Sequence, residues 1–394
     1  MNVAVLSEEV QDYIERQYHK DATPLLFKKP IFEGVSNTEL LQQLVGKQKC
    51  KKKLPLWFGT PGIYYPPKLN LEQTSSEITA RYKAEIVSGE RLVDITGGFG
   101  VDTYYFAKKM DTVVHCDINE ELSRITAHNF SVLGTNNITV LPVNGLQFLR
   151  EDSEKIDWVY IDPSRRNPEQ RKVFRLADCT PDVISHFELL MGRTYNLLIK
   201  TAPLLDLSQG INELKWVKEI HIVAIQNEVK ELLWVIQSGY QGNVSVKTIN
   251  FTNSGVMRFD FDREEESTAV STFSGPQHYL YEPNAAILKS GAFKKIGETY
   301  GLFKLHRNTH LYTHSELCPF PGRRFKIKQT LPYSKKALKT LRLQKANISC
   351  RNFPETSAVI RKKTKIKDGG EHYLFFVKNS EEKQVVLHCE KIER

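Results

Sequence analysis

Arg91-Leu92-Val93-Asp94-Ile95-Thr96-Gly97-Gly98-Phe99-Gly100 is the segment around which the chain is organised. An apolar run of β type ends in an acid, and a glycine-rich turn follows. Val101 to Lys109 then carries a helical pattern. Strand, glycine turn and helix open the nucleotide site of an open α/β sheet, because glycines let the backbone come close to a ligand. The next strand-like run, Thr112-Val113-Val114-His115-Cys116, ends at Asp117 and Ile118, with Asp117 19 residues beyond Gly98. A carboxylate at the tip of a second strand can accept both hydroxyls of a ribose.

Two cofactor classes use such a site. A dinucleotide site calls for G-x-G-x-x-G, with a pyrophosphate on the helix N-terminus. Gly98 and Gly100 supply the first pair, but Thr103 stands in the third place. Asp94, just ahead of the turn, would repel a pyrophosphate and attract an ammonium. A ligand with a ribose at one end and a cationic amino acid at the other fits better: S-adenosyl-L-methionine. The plainer alternative is a glycine turn that only connects a strand to a helix.

Around this core the chain alternates strand and helix, the pattern of a parallel sheet. Strands are predicted at 91–95, 112–117, 138–142, 156–161, 195–200 and 220–226, and helices at 101–109, 119–132, 144–151, 178–191 and 208–215. Runs at 232–236 and 244–249 look like later strands, the first antiparallel at the sheet edge. Ligands bind such sheets at the carboxyl ends of the strands, so chemistry is expected at Asp94 to Gly100, Asp117, Asn144-Gly145, Asp162 onward and Lys200 onward. The Asn144 amide can meet an adenine edge, or Asn144-Gly145 can be a simple turn. Pro163 holds Asp162 in an extended conformation, and Lys200 brings an ammonium to the next tip. An ordinary surface ion pair between Asp162 and Lys200 is the alternative.

Upstream, residues 1–88 have helical spacing, with Asn37 and Thr38 as possible caps of a helix over 40–45. Lys47 to Lys53 form a basic run beside Trp57, Phe58, Tyr64 and Tyr65 in a Pro- and Gly-rich loop. That pairing suits either a solvated face or a nucleic-acid contact with stacking rings. Ser75 or Ser76 can cap a helix, or cover the carboxylate end of a cofactor.

The net charge is +9, and it is uneven: residues 276–394 hold 24 Lys and Arg against 10 Asp and Glu, a balance of +14. The first 275 residues therefore carry −5. A basic module on a near-neutral body points to a polyanion partner. No run is long and apolar enough to span a membrane, and the N-terminus lacks the pattern of a secretory signal. The 6 cysteines are scattered without a Cys-x-x-Cys pair, which argues for a reducing cytoplasm and against a zinc site or a disulfide framework. His306, His310 and His314 have helical spacing, but their aromatic and β-branched neighbours favour a strand over a metal-binding face.

On these motifs, residues 70–250 resemble a class I S-adenosylmethionine-dependent methyltransferase. The carriers are Asp94-x-Thr96-Gly97-Gly98-Phe99-Gly100, Asp117 and Asp162-Pro163-Ser164-Arg165, with Thr96 where the family usually has glycine. Asp162-Pro163 is similar to the D/N-P-P-Y/F/R element of enzymes that methylate nucleobase amines. The resemblance implies that Asp162, with the Pro163 carbonyl, orients the amine. Arg165 replaces the usual stacking aromatic, and Lys200 is a further substrate contact. It also implies that Ser75, Asp94, Thr96, Gly97, Gly98, Gly100, Asp117, Ile118, Asn144, Gly145 and Asp162 hold the cofactor. The basic end resembles a THUMP-like domain preceded by a ferredoxin-like segment, in a bacterial group of methyltransferases, and implies an RNA substrate, tRNA or rRNA. The expected organisation is a helical region at 1–88 and a Rossmann-like α/β domain at 89–275. A ferredoxin-like segment at 276–324 and a THUMP-like basic domain at 325–394 follow. A non-catalytic RNA-binding protein and a nicotinamide-dependent oxidoreductase are the competing functions, and the missing third glycine and Asp94 weigh against the latter. DNA or protein as acceptor, and the oligomeric state, stay open.

Overall fold

The computed structural model describes residues 1–165 and 175–393. The chain divides into two compact units, Met1–Val217 with Trp234–Tyr240, and Lys218–Leu233 with Gln241–Arg394.

The first unit opens with helices α1 (Glu8–Gln17), α2 (Asn37–Lys53), α3 (Pro55–Gly59), α4 (Lys68–Gln73) and α5 (Glu77–Ala84). The cap of α2 is Ser36 rather than Asn37 or Thr38. Its hydroxyl accepts from the Glu39 N–H at 3.2 Å, while the Glu39 carboxylate accepts from the Ser36 N–H at 2.9 Å. The lysine run closes α2, with Lys51 and Lys52 exposed while Lys47 and Lys53 are drawn inward. Lys47 is buried, donating to the Phe58 carbonyl at 3.0 Å and pairing with Glu15 at 2.7 Å. Lys53 donates to the carbonyls of Leu71 and Glu72 at 2.8 and 3.0 Å, satisfying the C-terminal end of α4. Trp57, Tyr64 and Tyr65 are buried, with Trp57 edge-on to Tyr104 at 5.0 Å. Burying that much aromatic surface outweighs leaving it open to a ligand.

The sheet then follows in chain order: β1 (Gly89–Asp94), α6 (Val101–Phe106), β2 (Met110–Cys116), α7 (Glu120–Val132), β3 (Ile138–Leu141), α8 (Gly145–Glu151) and β4 (Ile156–Ile161). A short antiparallel ribbon, β5 (Ser164–Arg165) with β6 (Cys179–Thr180), precedes α9 (Phe187–Arg193), β7 (Thr194–Thr201) and α10 (Leu207–Glu213). Strands β7-β4-β1-β2-β3 lie side by side, all parallel. The continuous helix expected over 178–191 is not formed. Cys179 and Thr180 are taken into the ribbon by their pairing with Arg165 and Ser164, so α9 starts only at Phe187.

In the second unit β8 (Val217–Ile225) turns into β9 (Glu228–Gln237) through Gln226 and Asn227, at φ 50° and 65°. That is the geometry of a tight two-residue hairpin turn. The last residues of β9, from Trp234, belong to the first unit and run beside β7. β10 (Ser245–Thr252) is parallel to β8, and β11 (Gly255–Asp262) returns antiparallel to β10 as the edge strand. The run 232–236 was expected at that edge. All five of its residues are buried, whereas β11, the edge strand, alternates exposed and buried positions from Arg258 to Asp262.

The chain continues through α11 (Arg263–Thr268), β12 (Tyr279–Pro283), α12 (Ala285–Ser290), α13 (Lys295–Thr299), β13 (Phe303–Lys304) and β14 (Tyr312–His314). It ends with β15 (Gly322–Pro332), α14 (Lys335–Thr340), β16 (Asn347–Arg351), α15 (Ser357–Thr364), β17 (His372–Lys378) and β18 (Gln384–Lys391). These strands form a seven-stranded sheet in the order β13-β14-β12-β15-β18-β17-β16. Alternation along β17 builds two cores. Phe375 and Val377 join Leu280, Leu305 and Phe325, while Leu374 and Phe376 join Leu331, Ile360 and Val386. The three histidines do not share a helical face. His306 meets Glu382 at 2.6 Å, His310 stacks on Phe293 at 3.6 Å, and His314 lies in β14. Among the described residues no cluster of His, Cys, Asp and Glu could hold a metal, and no helix is long and apolar enough to cross a membrane.

Candidate functional site

The carboxyl ends of β1, β2, β3, β4 and β7 surround one cavity of about 540 Å³ in the first unit. Its walls include Ser75, Asp94, Thr96, Gly97, Gly98, Asp117, Ile118, Asn144, Gly145, Asp162 and Lys200, eleven of the residues singled out from the sequence. Gly100 and Pro163 are not in the wall. The backbone of Arg165 lies in β5, but its side chain is outside the described residues, as are Arg166 to Phe174.

Asp94 ends β1 and is buried. One carboxylate oxygen accepts from the Thr96 N–H at 3.0 Å and the other from the Thr103 hydroxyl at 2.7 Å. Thr103, which cost the motif its third glycine, is thus the donor that holds the acid in place. Burial pushes the Asp94 carboxyl up to about 8, and these two bonds offset part of the effect. Among the described residues no lysine, arginine or histidine side chain bonds to it. Thr96, where glycine is usual, accepts the Asp162 N–H on its hydroxyl at 2.7 Å and so ties the tip of β1 to the tip of β4.

The three glycines of the turn do different work. A Cβ on Gly97 would stand 2.2 Å from the His115 ring, so this glycine is demanded by the histidine beneath it. His115 is fully buried, which lowers its imidazole below the usual range, and Nε2 meets the Gly98 carbonyl at 3.2 Å. Gly100, at φ 78°, caps α6 and packs against Phe130. Gly98, at φ 54°, faces open space: the nearest atom to a Cβ there would be the Thr96 carbonyl oxygen at 3.9 Å. Its N–H and carbonyl are engaged by Asp117 and by His115 and Thr126, and the missing side chain leaves the backbone open to close approach.

On the β2 side, Asp117 accepts the Gly98 N–H at 2.9 Å and the Asn119 N–H at 2.8 Å, which fixes its carboxylate at the cavity edge. Ile118 beside it is 76% exposed, an apolar surface left uncovered in a cavity wall. The Asn144 side-chain oxygen caps α8, accepting from Leu146 and Gln147 at 2.9 and 3.1 Å. That capping fixes the amide's orientation. On the β4 side, the Lys200 ammonium donates to the Asp162 carboxylate, both lining the cavity.

Three further groups, Lys83, Asp102 and Tyr160, carry no local signal in the sequence. Ser76, not Ser75, caps α5, which frees the Ser75 hydroxyl to donate to Asp102 at 2.8 Å. Tyr160 donates to the same carboxylate oxygen at 2.8 Å, and the buried Lys83 ammonium lies 3.1 Å from the other. Burial alone would raise the Asp102 carboxyl, but the charges of Lys83 and Lys200 and the two hydroxyl bonds hold it below the usual range. Ser75, Asp102 and Tyr160 all reach the cavity. Lys83 and Asp102 stand on two different helices, and nothing local in the sequence pairs them.

Two family descriptions match the basic end: ferredoxin-like domain over residues 279–321 and THUMP domain-like over residues 322–391. No curated protein matches the chain. Among solved structures, a candidate methyltransferase from Porphyromonas gingivalis W83 is 31% identical, covers 98% of both chains and superimposes with a TM-score of 0.88. An rRNA methylase from Streptococcus thermophilus, 18% identical, covers 42% of this chain and 95% of its own, with a TM-score of 0.31. M. capricolum TrmK, solved with S-adenosyl-homocysteine, is 16% identical over 42% of this chain and 70% of its own, with a TM-score of 0.32. Full-length likeness to the Porphyromonas protein and the two C-terminal matches agree in domain order, and the chain belongs to the class I S-adenosylmethionine-dependent methyltransferases that carry a C-terminal THUMP-like domain.

Proposed function

We propose that the protein methylates a nucleobase amine in RNA, tRNA or rRNA, using S-adenosyl-L-methionine. The observation that carries this reading is the meeting of Asp162 and Lys200 with Asp94, Asp117 and the bare face of Gly98 in one cavity. The residues suit the cofactor. Asp94 is a buried carboxyl with neutral donors on both oxygens, a place made for an ammonium. Asp117 offers acceptors to ribose hydroxyls, and Ile118 and the Asn144-Gly145 turn flank room for a flat ring. A pyrophosphate would meet the Asp94 carboxyl instead, which disfavours a nicotinamide cofactor.

S-adenosylmethionine, when bound, supplies a methyl group already activated on a sulfonium. The protein's task is then mostly positioning. Asp162 accepts a hydrogen bond from the incoming amine and stands where the departing proton can be received. Lys200 and the Thr96 hydroxyl, bonded to its side chain and its N–H, hold it in one orientation. The +14 balance over residues 276–394 and the THUMP-like match support RNA as the polyanion. Asp162→Ala tests the assignment. Methyl incorporation into RNA from a deletion strain should fall by about 100-fold or more, as for loss of a positioning and proton-accepting group, with S-adenosylhomocysteine affinity kept. Unchanged transfer removes the proposed role. Cofactor binding without any transfer by the wild-type protein would favour a non-catalytic RNA-binding protein.

A further inference from the structure

A buried carboxylate in the second unit gathers two arginines from distant strands. Glu282 on β12 is 4% exposed, and Arg323 on β15 donates Nε–H to its Oε2 at 2.6 Å, with Nη2 on the same oxygen. Arg351, at the end of β16, donates Nη2–H to Oε1 at 2.9 Å. The guanidinium of Arg323 also lies 5.6 Å over the Phe325 ring, which restrains its plane. Both arginine side chains stay about two-fifths exposed, at 40% and 41%.

A guanidinium has five N–H donors. Glu282 engages two on Arg323 and one on Arg351, so several donors of each remain for another partner. The trio carries a net charge of +1, which a single phosphodiester would neutralise. Burial, and after it the charges of Lys304 and Arg351, push the His310 imidazole down to about 4.

We infer that Arg323 and Arg351, oriented by Glu282, form a clamp for one backbone phosphate of the RNA substrate. The inference rests on the RNA reading above and deepens it. Guanidiniums suit this task because their planar forks match phosphate oxygens, and a pre-formed pair loses little freedom on binding. An ion pair that served the fold alone would be expected to bury both cations with the carboxylate, whereas here only Glu282 is enclosed.

The test is anisotropy titration of fluorescein-labelled total bacterial tRNA with the full chain at several KCl concentrations. Arg323→Gln and Arg351→Gln should each weaken binding about tenfold and reduce the slope of log affinity against log salt by about 0.7–0.9. S-adenosylhomocysteine affinity should stay at the wild-type value. If the Gln variants melt early, Arg323→Lys and Arg351→Lys decide the matter. They keep the charge on Glu282, so the salt slope should hold while affinity drops several-fold for want of the fork. Lys or Gln variants that bind tRNA as the wild type does would overturn the clamp and leave the RNA reading standing. A wild-type chain that binds neither this tRNA nor total bacterial rRNA labelled in the same way would overturn both.

Discussion

Asp94→Asn puts the proposed cofactor site under the sharpest test. With its carboxyl pushed up to about 8, Asp94 in the free protein carries its charge only about one time in ten at pH 7. Recruiting the ionised form for a cationic ligand then costs about 1.4 kcal/mol at pH 7 and almost nothing above pH 9. Affinity for S-adenosylhomocysteine should therefore rise about tenfold per pH unit between pH 6 and 7, and level off above pH 8. At pH 7 binding should release nearly one proton, measurable by isothermal titration calorimetry in buffers of different ionisation enthalpy. Asparagine keeps the shape of the neutral acid but cannot ionise, so the variant should show a flat profile and bind more weakly than wild type at pH 8. The unbound protein offers a control with a defined sign. The raised carboxyl contributes stability that is full below its unfolded value of about 4 and is lost as pH rises toward 8. A wild-type affinity that does not change with pH, or an equal slope in Asp94→Asn, would refute the pairing of Asp94 with a cation.

Two glycine substitutions should separate packing from ligand contact. A Cβ on Gly145 would lie 2.4–2.6 Å from Ile95, backbone included, so Gly145→Ala should cost about 1–3 kcal/mol in denaturant unfolding. Gly98→Ala meets open space and should cost only about 1–2 kcal/mol of left-handed strain while cofactor affinity falls; the reverse ranking would contradict the assigned roles. Lys83→Met strands the buried Asp102 without its nearest cation and should lower stability by about 3 kcal/mol in a urea titration. Lys83→Met with Asp102→Asn should recover part of that loss. In the wild type the Asp102 contribution is present above about pH 4 and disappears as pH falls through its lowered value, so Asp102→Asn should flatten the acid limb of the stability curve.

The sheet and the strand tips that bear chemistry are legible in the chain alone. Alternating strand and helix patterns, one glycine turn and acids closing β1, β2 and β4 are local features. Their order in the chain places them at one end of a parallel sheet. What each group does there follows from folding. Thr103 looked like a lost glycine until folding set its hydroxyl against Asp94, and Thr96 like an imperfect match until it bonded Asp162. Lys47 and Lys53 looked like a surface patch, but helix ends and carbonyls far along the chain claimed them. Lys83 and Asp102, His115 under Gly97, and Arg323 with Arg351 on Glu282 depend on partners that periodicity cannot report. Local pattern follows from backbone geometry and solvent preference, which each residue carries with it. Charge pairing and hydrogen-bond choice depend on which distant groups arrive at the same buried point.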